Sequence, residues 1–132
     1  ELQSAMGLAV YPHMDNIISA RKEVVDFYIK NLNFGLLKTI KIRENTRWNY
    51  SYFPIILESE EILLKTQKAL NAKNIFPRRY FYPSLNTIDY LKGATMPVAE
   101  SIASRVLCLP LYVGLTTTQL EEITFIINQS IC

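Results

Sequence analysis

Soft metal ligands are scarce in this sequence. One histidine, His13, and two cysteines, Cys108 and Cys132, are all that 132 residues contain. They are too few and too far apart for a three- or four-ligand metal site, and two thiols make no disulfide framework. Only four glycines are present, and no G-x-G-x-x-G or G-x-x-x-x-G-K-[ST] run, so no backbone cradle for phosphate is expected within the chain. No apolar run reaches the roughly 18 residues that mark a membrane-spanning helix, and no secretory pattern opens the chain. Fourteen Lys and Arg against twelve Asp and Glu leave a formal charge of +2, too little for a nucleic-acid backbone or an anionic membrane surface. What is abundant is apolar surface, at 49% of residues. The expectation is one soluble domain, residues 1–132, from a reducing compartment.

The apolar residues are patterned. Leu2, Ala5, Met6, Ala9 and Val10 follow a helical stripe from the second residue onward, with no Ser, Thr, Asp or Asn before it as a cap. The chain therefore reads as cut rather than started. Pro12 is expected to interrupt that helix, with Asp15 or Asn16 capping the next. Met14, Ile17, Ile18, Val24, Val25, Tyr28 and Leu32 mark one face of a long second helix, closed over Asn33–Gly35 by a left-handed residue.

Two extended pieces, 37–42 and 49–57, suggest an antiparallel pair across the polar loop Arg43–Thr46. Ser59 is the expected cap of a helix with Glu60 and Glu61 in its first turn, running through Ile62, Leu63 and Leu70 to about Asn74. A third strand is expected over 75–82, limited by Pro77 and Pro83. Pro97 opens a helix with Ala99, Ile102, Ala103 and Val106 as its buried stripe. A short extended piece covers 108–112. Thr118 and Glu121 have the spacing of a capping box before a last helix facing inward through Leu120, Ile123, Ile127 and Ile131. The predicted fold is α+β: a small, mostly antiparallel sheet of about three strands with helices packed over it.

Most chemistry-bearing residues have a packing explanation. His13 beside a proline reads as a surface or packing residue, and Cys108 in Val-Leu-Cys-Leu-Pro as an inert core filler. The glutamate clusters at 58–61 and 121–122 fall in helix first turns, where the dipole accounts for them. Two aromatic windows stand out: Trp48, Tyr50, Tyr52 and Phe53, then Phe76, Tyr80, Phe81 and Tyr82, with Arg78 and Arg79 inside the second. Strand alternation sends Trp48, Tyr50 and Tyr52 to one face and Phe53 to the other. Half of these rings are expected in the core. The rest, beside two arginines, suit a sugar ring or a phosphate oxygen.

Those windows belong to a longer pattern. Glu-Leu-Gln-Ser-Ala-Met-Gly-Leu, an arginine on a long helix reaching Tyr28, Asn-Tyr-Ser-Tyr-Phe-Pro, Arg-Arg-Tyr-Phe-Tyr-Pro-Ser-Leu, Pro-Val-Ala-Glu-Ser-Ile-Ala and Val-Leu-Cys-Leu-Pro-Leu-Tyr occur in this order. Together, from Glu1 to about Ile127, they resemble the DegT/StrS-type nucleotide-sugar aminotransferases. The resemblance implies an enzyme of fold type I that uses pyridoxal phosphate (PLP), usually a homodimer. Such enzymes transfer an amino group, typically from glutamate, to a keto-sugar linked to a nucleotide. The Arg-Arg-Tyr-Phe-Tyr-Pro variant is most similar to members that make amino-deoxy sugars on dTDP for cell-surface polysaccharide.

It also implies that this chain matches only the C-terminal small domain, with residues 1–13 as a remnant of the connecting helix. The family's Schiff-base lysine has no counterpart here, so neither catalysis nor PLP binding is expected of this chain alone. The family's substrate-facing positions fall on Tyr50, where many members have histidine, and on Arg79, Tyr80 and Tyr82. Partners implied are a nucleotide-linked sugar and a second copy of the chain, with no nucleic acid and no membrane, in the cytoplasm. The alternative is a non-catalytic sugar-nucleotide-binding or assembly module.

Overall fold

The computed structural model describes residues 1–80, 82–91 and 93–132. Its elements are α1 (Leu2–Val10), α2 (Met14–Asn31), β1 (Lys38–Thr39), β2 (Phe53–Ile56), α3 (Glu60–Asn71), α4 (Pro97–Arg105), β3 (Val106–Leu109) and α5 (Thr117–Ile131), with short 3-10 turns at Tyr11–His13 and Leu85–Thr87. The fold class is the expected α+β. Three strands lie in the order β1-β2-β3, both pairings antiparallel.

The sheet has one finished face. Phe53 and Ile55 of β2, with Leu107 and Leu109 of β3, turn inward and are buried. They form the core with Val24, Val25 and Tyr28 of α2, Leu63 and Leu70 of α3, and Leu120, Ile123 and Ile127 of α5. Tyr28 stacks on Phe53 at 5.2 Å between ring centroids. Its hydroxyl donates to the Pro110 carbonyl at 2.8 Å, so a fully buried phenol keeps a partner. Burial first, and the charge interaction with Tyr112 second, push that phenol's pKa well up.

Several local signals hold. Ser59 caps α3, its Oγ accepting from the Ile62 N–H at 3.2 Å, and Pro97 opens α4. Others are corrected. Pro12 does not stop the first helix outright: a 3-10 turn carries the chain into α2, and neither Asp15 nor Asn16 caps it. Helix α2 closes without a left-handed residue. Leu32 is extended, and the Asn128 side chain of α5 binds the Asn31 carbonyl and the Asn33 N–H at 2.9 and 3.0 Å. Left-handed Asn residues stand elsewhere, at Asn45 and, just past α3, at Asn74, both at φ +59°. The capping box of α5 is Thr116 with Gln119, two residues before the expected pair, since three consecutive threonines offer alternatives.

The third strand is also relocated. Among the described residues, 75–82 contribute a single bridge, Arg78 with Cys108, and Pro77 has no N–H to add to a ladder. The strand that completes the sheet is Val106–Leu109, which starts where α4 ends. Val106 therefore belongs to a strand rather than to the α4 stripe, of which Ala103 alone is buried. Cys108 points to the sheet face opposite the core and is half-buried; burial still pushes its thiol pKa up.

Candidate functional site

The 76–80 segment runs beside the outer edge of β3, held by two backbone bonds between Arg78 and Cys108 at 3.0 and 2.9 Å. Extended backbone sends alternate side chains to opposite sides. Arg78 and Tyr80 face one cleft, while Arg79 turns the other way.

Arg79 is occupied by the protein itself. One guanidinium nitrogen reaches Glu60 Oε1 at 2.7 Å and the Ser104 carbonyl at 3.1 Å. Its carbon lies 3.5 Å from the centre of the Tyr82 ring, a cation–π arrangement. Hydrogen bonds from Arg79 first, and from Tyr82 second, hold the Glu60 carboxyl below its usual range. Glu60 is thus more than a first-turn carboxylate. It joins the start of α3 to the Arg79–Tyr82 segment, and Arg79 carries the join on to the end of α4.

Tyr80 meets Tyr52 edge to face at 5.3 Å. Arg78 Nη1 lies 3.5 Å from the Tyr80 hydroxyl. Tyr50 goes elsewhere. Its ring sits 4.6 Å from Trp48, both packed against the core, and its φ of +51° breaks the alternation expected across this window. The Asn49 side chain accepts from the Ser51 N–H at 3.1 Å across this turn, the kind of local bond that favours a turn over a strand. The structure thus joins Tyr80 to Tyr52 and Arg79 to Tyr82, and leaves Tyr50 with Trp48. Phe81 lies outside the described residues.

The second sheet face is open. Pro54, Ile56 and Val106, with Met96, Ala99 and Ile102 from around α4, line an apolar groove of about 660 Å³. Its far rim is the 84–86 segment, tied to α4 through Asn86, whose side chain donates to Glu100 Oε1 at 2.6 Å. The same carboxylate accepts the Met96 N–H at 2.8 Å. That bond, then the one from Asn86, holds the Glu100 carboxyl below its usual range.

These residues do not fit a PLP site. An imine-forming lysine needs a lowered pKa, an acid for the ring nitrogen and a phosphate cup. Each described lysine is exposed, and Lys22 is paired with Asp26, which raises its pKa. Among the described residues, no group of three or more His, Cys, Asp or Glu side chains is placed to hold a metal ion. No described helix is long and apolar enough to cross a membrane.

The model of the DegT/DnrJ/EryC1/StrS aminotransferase family matches residues 1–128. A dTDP-4-amino-4,6-dideoxy-D-glucose transaminase of Escherichia coli is 34% identical over 94% of this chain and 36% of its own length. A GDP-perosamine synthase of Escherichia coli O157:H7 is 30% identical over 96% of this chain and 35% of its own length. The aminotransferase TlmJ of Streptoalloteichus hindustanus has the same fold, with a TM-score of 0.85 at 16% identity, over 95% of this chain and 34% of that one. The chain thus spans about a third of the length of the curated relatives it matches.

Sequence reasoning missed Glu60 as the partner of Arg79, and missed Phe76, Arg78 and Tyr112 as residues around one cleft. The alternation of 76, 78 and 80 was the available signal for two of them. Tyr112 had none, since it arrives from beyond β3.

Proposed function

Given that the chain belongs to the DegT/DnrJ/EryC1/StrS aminotransferase family, we propose that it is the small domain of a sugar aminotransferase acting on a nucleotide-linked keto-sugar. In that reading residues 1–132 form one domain, and 1–13 are the end of the connecting helix. The cytoplasm is its compartment. Amino transfer is the chemistry that PLP supplies when bound, in a part of the enzyme other than these residues. This chain's task is to hold and orient substrate: Tyr50, Tyr80 and Tyr82 offer phenols to the sugar, and Arg79 fixes the Tyr82 ring from behind.

The observation that carries the reading is the family match along residues 1–128, combined with lysines that stand exposed throughout the described residues. The test is a chimera in which this chain replaces the matching third of the Escherichia coli transaminase. The chimera is expected to aminate a nucleotide-linked keto-sugar with glutamate as donor, and the chain alone to show no turnover. A stoichiometric PLP adduct at one lysine of the isolated chain, trapped by borohydride and mapped, overturns the proposal.

Self-association is part of the same proposal. Helix α1 has no buried residue, and Leu2, Met6 and Leu8 are 75%, 60% and 76% exposed. Nine residues do not hold a helix in water without tertiary support, and an apolar stripe of this kind seldom stays uncovered. Sedimentation at tens of micromolar is expected to show a dimer or larger species, and a clean monomer refutes this part.

A further inference from the structure

Three rings around the Arg78 cleft are more exposed than packing requires. Tyr52 is 56%, Phe76 65% and Tyr112 50% exposed. With Ser51, Arg78 and Tyr80 they surround a space of about 340 Å³. Among the described residues no carboxylate lines it, so the guanidinium gives the cleft a net positive character. Arg78 itself is exposed. Its bond to the Tyr80 hydroxyl, at 3.5 Å, is at the outer limit for a hydrogen bond. Most of its five N–H donors therefore remain available to an acceptor of matching charge.

Flat apolar faces around a single forked cation describe a ligand with a planar ring at one end and an anion at the other. Ring stacking is tolerant of base identity, because every base has a π-face. A guanidinium and a phosphate make paired, charge-assisted bonds. Resting on the function proposed above, we infer that this cleft takes the nucleoside diphosphate part of the substrate, with the base against Phe76, Tyr52 and Tyr112 and a phosphate on Arg78. The neighbouring arginine is not interchangeable with it. Arg79 is already bound to Glu60 and the Ser104 carbonyl, and in this reading it is a positioning residue.

Calorimetric titration of the 132-residue chain with thymidine diphosphate, thymidine and inorganic pyrophosphate tests the assignment. Thymidine diphosphate is expected to bind about ten-fold more tightly than either fragment, a difference of about 1.4 kcal/mol. Arg78→Gln is expected to bring thymidine diphosphate down to the thymidine value while leaving thymidine unchanged. Phe76→Ala weakens both nucleoside ligands. Equal binding of thymidine diphosphate and thymidine overturns the inference, as does Arg78→Gln binding thymidine diphosphate like the parent. Both substituted side chains are solvent-exposed, and an unchanged circular dichroism spectrum establishes that each variant is folded.

The chimera separates this inference from the function it rests on. If the parent chimera turns over and its Arg78→Gln form keeps the same KM for the nucleotide sugar, the cleft assignment falls and the function stands. If the parent chimera is folded but inactive, the function reading falls.

Discussion

On one face of the sheet Phe53, Ile55, Leu107 and Leu109 are at most 4% exposed. On the other, Pro54, Ile56, Val106 and Cys108 are half-buried along an open groove. The same two strands supply both sets, residue by residue in alternation. The inner set is buried in one core with residues of three helices. The outer set meets one short helix and a loop, and it carries the clefts. Core packing and open surface are thus divided between the odd and even positions of two four-residue strands, so a substitution one residue along changes which of the two it affects.

The largest test of that division is a pair of truncations. Leu107→Ala, at a site with no exposure, is expected to cost about 3 kcal/mol in chemical denaturation. Val106→Ala, its neighbour on the open face, is expected to cost less than about 1 kcal/mol. Equal costs would break the comparison. Tyr28→Phe sharpens it on the core side. The ring stays and only the bond to the Pro110 carbonyl at 2.8 Å is lost, for about 1 kcal/mol. Placed at the N-terminus of α5, Thr116→Ala removes the capping box and is expected to cost a similar amount, about 1 kcal/mol.

The smallest expected effect is on pH. The folded pKa values of Glu60 and Glu100 lie below the ordinary value of 4.5. Both carboxylates then contribute stability that is present above pH 4.5 and is lost as the pH falls through their depressed folded values. Arg79→Gln should flatten the Glu60 part of that acid limb and leave the Glu100 part, as read by thermal melts between neutral pH and pH 3. An acid limb unchanged by Arg79→Gln would show that the Glu60–Arg79 pair contributes little.

Much of the helical half was legible. Ser59 and Pro97 mark their helices by short-range chemistry, and periodicity selects Val24, Val25 and Tyr28 of α2 and Leu120, Ile123 and Ile127 of α5, though α5 also buries Thr124 and Ser130 while Met14 and Ile131 are not buried. Local signals failed where two of them competed. Thr116 with Gln119 and Thr118 with Glu121 have the same spacing, and the helix takes the first as its capping box. Val106 continues a helical stripe from Ile102 and Ala103 as well as it starts a strand. Pairing of Val106 with Ile56 settles that in favour of the strand.

The site was less legible than the fold, and the paired arginines show why. Sequence placed both beside phenols and offered Arg79 to the substrate. Which of two adjacent side chains reaches an open cleft depends on the register of their segment, and that register is set by one backbone bridge to Cys108. The strand alternation expected around Tyr50 was lost for a related reason: one left-handed residue ended it. The sequence by itself determined the family, the α+β class and most helix boundaries, because these rest on patterns repeated along a few turns of chain. The position of the third strand, the exposure of Arg78 and the ring cluster around it were decided by tertiary structure. They depend on contacts between segments roughly 30 to 60 residues apart, whose parity no local pattern carries.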